Sequence, residues 1–138
     1  MLDTNIFNRL LDNEVDITIF PVGSSLFATK VQYEELNSTR NLMRRTELIQ
    51  KFKEIEPDIV PASFSLDIAG AGLDEGTLSE GDYAQKLWIA LEVIQSKSNN
   101  WHDALIAEAA YINGCRLVTA DRNLSEVAKE HGLTVWLV

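Results

Sequence analysis

Apolar and polar positions change rhythm several times along this chain, and the changes outline strands alternating with helices. The apolar pair Met1-Leu2 gives a strand stub, and residues 6–11 then carry a helical pattern. Leu26, Phe27 and Ala28 form a second short strand, and Thr29 with Gln32 has the spacing of a capping box that opens a helix. A charged helix is expected over residues 40–55, with a short extended piece at Ile59-Val60. The stretch 70–76, bounded by glycines, is the most loop-like and is expected to join two helical halves. Ser79 and Asp82 then open a helix that runs to Gln95. Its apolar residues, among them Tyr83, Leu87, Trp88, Ile89, Leu91, Val93 and Ile94, cover nearly its whole circumference, so it is expected to be buried or to lie at an interface.

Another helix is expected over 101–112, stopped by Asn113-Gly114. A strand follows at 115–120, Asn123 and Glu126 cap a last helix reaching His131-Gly132, and 133–138 closes as a strand. Alternation of this kind predicts an α/β fold: three layers, α/β/α, around a central mostly parallel sheet. Repeats, low-complexity tracts and breaks in composition are absent, so one domain over residues 1–138 is expected. Sheets of this class bind ligands beyond the carboxyl ends of their strands, which makes residues just past a strand end the ones to read most closely.

Composition narrows the chemistry. Hydrophobic residues make up 46% and charged ones 24%, which suits a chain that buries a core. Apolar runs are short and broken by charges, and Met1 leads straight into Leu2-Asp3 without a basic and then apolar leader. A cytoplasmic protein with no membrane segment is therefore expected. The lone Cys115 cannot close an internal disulfide, and with only His102 and His131 beside it no Cys/His zinc site can be assembled. Twenty-one acidic residues against twelve basic ones leave a formal charge of −9. That is the wrong sign for holding nucleic acid by surface charge alone, unless divalent cations carry the positive charge at the contact.

Some carboxylates stand where solubility does not put them. Asp3 follows the strand stub, and the simpler reading of it is a cap for the first helix. Asp121 follows the apolar strand ending in Thr119-Ala120; with Asn123 and Glu126 supplying a cap, it is left with no evident structural duty. Asp103 shares a helix face with Ile106, Ala107 and Ala110, where a carboxylate is costly unless paired or bound to metal, whereas Glu108 falls elsewhere and is expected in solvent. A capping role for Asp103 after Asn100 does not explain its inward aim. Glu34 is four residues past Lys30 and reads as a solvated pair, which assigns Glu35 to the site. Four carboxylates converging on one pocket need compensation, and no lysine or arginine stands at a strand end to give it, Arg122 being nearest. Oxygen ligands alone suit Mg²⁺ or Mn²⁺, and such a cluster supports metal-assisted phosphodiester hydrolysis.

The segments carrying these acids resemble the PIN-domain family. Leu2-Asp3-Thr4-Asn5-Ile6 is similar to the family's opening, and Glu35-Leu36 to its second acidic motif. Asp103-Ala-Leu-Ile-Ala107, followed by Gly114-Cys-Arg-Leu-Val-Thr-Ala-Asp121, is similar to its third and fourth. The resemblance spans essentially the whole chain and implies a Mg²⁺- or Mn²⁺-dependent endoribonuclease, most often, as in VapC-like toxins, the toxin of a toxin–antitoxin pair. It implies Asp3, Glu35, Asp103 and Asp121 as catalytic metal ligands, with Asn5 and Thr119 as supporting polar positions. Only two residues precede Asp3, where the family has a fuller first strand, and residues 63–80 follow no pattern of the family.

Expected partners are an RNA substrate, an antitoxin protein and a second copy of the chain in a homodimer. Five of the twelve basic residues fall within 40–53, and Arg44 with Arg45 are the candidates for RNA phosphates. Lys51, four residues past Glu47, reads instead as part of a salt-bridged solvent face. Two other classes compete. A non-catalytic PIN-like module acting through partners is separated by a nuclease assay with Mn²⁺. A phosphoacceptor receiver domain wants an early acidic pair and a lysine after its last core strand, and both are missing here.

Overall fold

A computed structural model of the chain describes residues 1–62 and 75–138, the side chains of 75–81 excepted. In chain order the elements are α1 (Thr4–Leu11), a 3-10 turn (Ile17–Ile19), β1 (Phe27–Ala28), α2 (Lys30–Asn37), α3 (Leu42–Ile55), β2 (Asp58–Ile59), α4 (Glu75–Ile94), α5 (Asn100–Ile112), β3 (Leu117–Thr119), α6 (Arg122–Glu130) and β4 (Val135–Leu137). β1 pairs with β2 and β3 with β4, both in parallel. Residues 1–3 join the two pairs. Leu2 N donates to Phe27 O at 2.9 Å, and Asp3 N donates to Val118 O at 2.9 Å. The expected α/β architecture with parallel strands is what the chain adopts.

Side-chain alternation along these strands creates the layers. Met1 and Leu117 enter one apolar cluster with Leu87, Leu91, Leu105, Ile106 and the inner residues of α6. Their neighbours Leu2 and Val118 enter the opposite cluster with Ile6, Phe7, Leu36, Leu48 and Phe52. A two-residue period thus feeds two cores from one thin sheet. α1, α2 and α3 cover one face, and α4, α5 and α6 cover the other.

Local chemistry sets the helix ends. The predicted capping box is formed: Thr29 Oγ1 accepts from Val31 N, and Gln32 Oε1 accepts from Thr29 N at 2.9 Å. Gln32 is fully buried, and its Nε2 also donates to Leu2 O at 2.9 Å, which ties α2 to the strand segment carrying Asp3. Gly114 and Gly132 follow α5 and α6 with φ of 64° and 86°, and the next amides reach back to Ala110 O and Ala128 O. Both are C-caps that need the left-handed region glycine allows.

Several expectations are corrected. α4 begins at Glu75, ahead of Ser79 and Asp82, so Glu75 and Gly76 are helical; residues 63–74, with most of the expected loop, lie outside the described residues. Asp121, not Asn123, caps α6, accepting from Asn123 N at 2.9 Å and Leu124 N at 3.2 Å. Asn99 is the cap residue of α5, and Asn100 is its first helical residue. Glu108 is fully buried, accepting from Ala84 N at 2.9 Å, because α4 packs over that side of α5. The apolar girth of α4 splits: Ala84, Leu87 and Leu91 are buried, while Ile89 and Val93 are exposed. Among the described residues no helix is long and apolar enough to cross a membrane.

Because Gln32 serves two buried groups at once, Gln32→Leu should lower unfolding free energy by about 2 kcal/mol, the cost of leaving a buried donor and a buried acceptor without partners. Urea unfolding of the variant against wild type measures it; an unchanged midpoint would show that the link to Leu2 contributes nothing.

Candidate active site

Asp3 is fixed by where the strand segment ends. Its Oδ1 caps α1, accepting from Thr4 N at 2.7 Å. Its Oδ2 accepts from Thr119 Oγ1 at 2.6 Å and from Asn5 Nδ2 at 2.8 Å. Thr119 Oγ1 in turn accepts from Asp121 N at 3.0 Å, and Asn5 Oδ1 accepts from Ala120 N at 3.1 Å. Asn5 and Thr119 therefore orient Asp3 and hold it against the strand end that carries Asp121. Capping and a place beside the strand ends were alternatives in the sequence; Asp3 does both, capping α1 with one oxygen and accepting from Thr119 and Asn5 with the other.

Glu35 reaches the same place from α2. Its Oε1 accepts from Thr4 Oγ1 at 2.6 Å, and its Oε2 lies 3.5 Å from His102 Nδ1. Glu34 instead pairs with Lys30 at 3.7 Å on the exposed side, as the spacing predicts. Asp103, on the first turns of α5, is buried and takes a long 3.5 Å contact from Asn99 Nδ2. Asp121 uses Oδ1 to cap α6, while Oδ2 lies 3.5 Å from Lys97 Nζ.

Asp3 and Asp103 feel the charge of the neighbouring acids. Burial pushes Asp103 up, to about 8, and the charges of Asp3, Glu35 and Asp121 push the same way against the opposing pull of Lys97. Asp3 is raised to about 6, first by burial and further by Glu35 and Asp121, although its bond from Thr119 opposes this. Mutual repulsion among buried carboxylates is the condition a divalent cation relieves. The donors are all oxygen, which fits Mg²⁺ or Mn²⁺. Among the described residues no group of three or more His, Cys, Asp or Glu side chains is placed to hold a metal ion as the chain stands. Asp3, Glu35, Asp103 and Asp121 are the residues whose oxygens could hold such an ion.

Three neighbours were not found by reading the sequence. Thr4 orients Glu35, and its place directly after Asp3 was the available signal. His102 stands beside Glu35, one residue before Asp103. Lys97 brings a cation to Asp121 from the loop between α4 and α5; since it does not stand at a strand end, strand-end logic passes over it. Arg44, in contrast, has its guanidinium turned to Asp12 at 2.8 and 2.9 Å and to Asn8 at 3.0 Å, clamping α3 to the end of α1. Its neighbour Arg45 is half-buried on the same helix.

The family model of the PIN domain matches residues 71–130, a stretch that contains both Asp103 and Asp121. This supports the PIN family, whose domains are in general nucleases dependent on divalent metal. Asp3 and Glu35 lie outside the matched stretch. No curated protein matches the chain.

The metal-free protein should show this repulsion in its pH dependence. A carboxyl group raised in the folded state binds its proton more tightly there than in the unfolded chain, where it titrates near 3.8. Its contribution is fully present below that value and is lost as pH rises toward 8. Asp103→Asn should therefore raise the melting temperature at neutral pH in chelator and flatten its decline between acid and neutral pH. Melting curves across that range decide it; superimposable profiles for wild type and variant would remove Asp103 from the cluster.

Proposed function

We propose that this protein is a single-domain, cytoplasmic, Mg²⁺- or Mn²⁺-dependent endoribonuclease that hydrolyses RNA to a 5′-phosphate and a 3′-hydroxyl. The observation that carries the reading is a carboxylate, Asp103, buried in the first turns of α5 and pushed up first by that burial and then by the charges of Asp3, Glu35 and Asp121, which come from three other segments of the chain. A divalent cation bound there supplies the positive charge that polarises a water molecule and offsets charge gathering on the phosphate. Asp3 and Asp121 each give one oxygen to the helix start they cap, which orients the carboxylate before any ligand arrives. Thr4 and Thr119 hold Glu35 and Asp3 in the same way.

RNA contacts are proposed on α3. Arg45 is the better placed of the adjacent pair, since a phosphate at Arg44 must displace Asp12 and Asn8. A toxin role with a protein antitoxin, and a homodimer, are part of this proposal. The exposed Ile89 and Val93 on α4 are compatible with a protein contact.

With Mn²⁺ and a single-stranded RNA, Asn substitution of Asp3, Asp103 or Asp121, and Glu35→Gln, should each cut the rate at least about a hundredfold with circular dichroism unchanged. Glu34→Gln should cleave at the wild-type rate. Millimolar Mn²⁺ should also raise the wild-type melting temperature, and Asp103→Asn should lose most of that rise. An inactive wild type whose melting temperature ignores Mn²⁺ would leave only a binding module.

A further inference from the structure

Lys97 has an arrangement that solubility does not account for. The loop between α4 and α5 is organised around Glu92: Ser96 Oγ donates to its Oε2 at 2.8 Å and Asn100 Nδ2 to its Oε1 at 2.8 Å. These bonds hold the Glu92 carboxyl below its usual range. Asn100, itself buried, also donates to Gln95 O at 2.8 Å, and Asn100 N closes the turn onto Lys97 O at 3.2 Å. The backbone on either side of Lys97 is thereby pinned, and its side chain is laid across to Asp121 in the next structural unit.

The oxygen it reaches is the informative part. Asp121 Oδ1 is committed to capping α6, so Oδ2 is the oxygen left for a ligand, and Lys97 Nζ stands 3.5 Å from it. Resting on the nuclease reading above, we propose that Lys97 is a substrate-contacting residue of this site: it neutralises Asp121 while the site is metal-free, yields that oxygen to the divalent cation, and then takes a non-bridging oxygen of the RNA phosphate. The geometry favours this over a fixed salt bridge. A third of the Lys97 side chain is exposed, which leaves the ammonium open to solvent, while its pinned backbone keeps it beside Asp121 and within reach of the charge of Asp103. An ammonium is a flexible point charge that can exchange one oxygen anion for another. In a protein of net charge −9, a cation held at the reacting phosphate also answers how the substrate is held there.

The test uses Lys97→Met, with Lys86→Met, whose partner is Asp82 on the outer side of α4, as the control. Mn²⁺ titration of the protein without RNA should show several-fold tighter binding for Lys97→Met, because the competing cation is gone, and no change for Lys86→Met. With Ca²⁺ in place of Mn²⁺, binding of a short single-stranded RNA across a salt series should lose about 0.7 from its log–log slope in Lys97→Met, the value for one phosphate contact. With Mn²⁺, kcat should fall by about a hundredfold, as for loss of one group that meets developing charge. Unchanged Mn²⁺ affinity, or an unchanged salt slope, overturns the proposal. If wild type binds Mn²⁺ but neither binds nor cuts RNA, the nuclease reading itself has failed; wild-type cleavage with an unaffected Lys97→Met fails Lys97 alone.

Discussion

Buried like charge is the constraint around which the rest of this molecule is arranged. Asp3 and Asp103 are almost entirely out of solvent, and Glu35 and Asp121 are close enough to raise them further. Such a group of acids persists in a folded protein only if the surrounding structure over-determines each position. The fold does so by placing three of the four at junctions, Asp3 and Asp121 where strands hand over to helices and Asp103 in the opening turns of a helix, while Glu35 comes from the last turn of α2 and is held by Thr4. Backbone amides at helix starts are the strongest fixed positive ends a chain can offer without using a side chain.

Helix capping and the placement of the acids are therefore one device here. A carboxylate has two oxygens, and in Asp121 one is used by α6 and the other is presented to the site. Asp3 adds Thr119 and Asn5, which bind the two strand ends into a single hydrogen-bonded unit. Gln32 extends that unit to α2 through Leu2, so the helix carrying Glu35 is registered against the strand segment carrying Asp3. The thinness of the sheet, with two or three residues per strand, makes these side-chain links more consequential than the ladder itself.

On the other face, α5 is the element with least freedom. Residues 103–110 are all buried, packed between the sheet and α4, and that packing forces even Glu108 inward, where it accepts the Ala84 amide. The same helix carries His102 and Asp103 at its start, and the loop leading into it carries Lys97. Packing in the middle of α5 thus sets the position of charge at its end.

Much of this was legible in the sequence. Strand–helix alternation, the Thr29–Gln32 box, the glycine stops at 114 and 132, and the split between Glu34 and Glu35 all follow from local rules, in which a few neighbouring residues decide the outcome. The inward aim of Asp103 also followed, because helical periodicity alone places it among alanines and isoleucine. What the sequence could not decide was everything that depends on a second element. Asp121 or Asn123 as the cap of α6 turned on where the strand ends, and Glu108 was buried by α4, whose approach no local pattern encodes. The cation beside Asp121 came from a loop twenty-four residues before it, brought there by the packing of α4 on α5 and not by its spacing. Short-range propensities fix which residues turn and cap; only tertiary packing decides which charges meet, because a charge pair costs or stabilises according to distance in space and not along the chain.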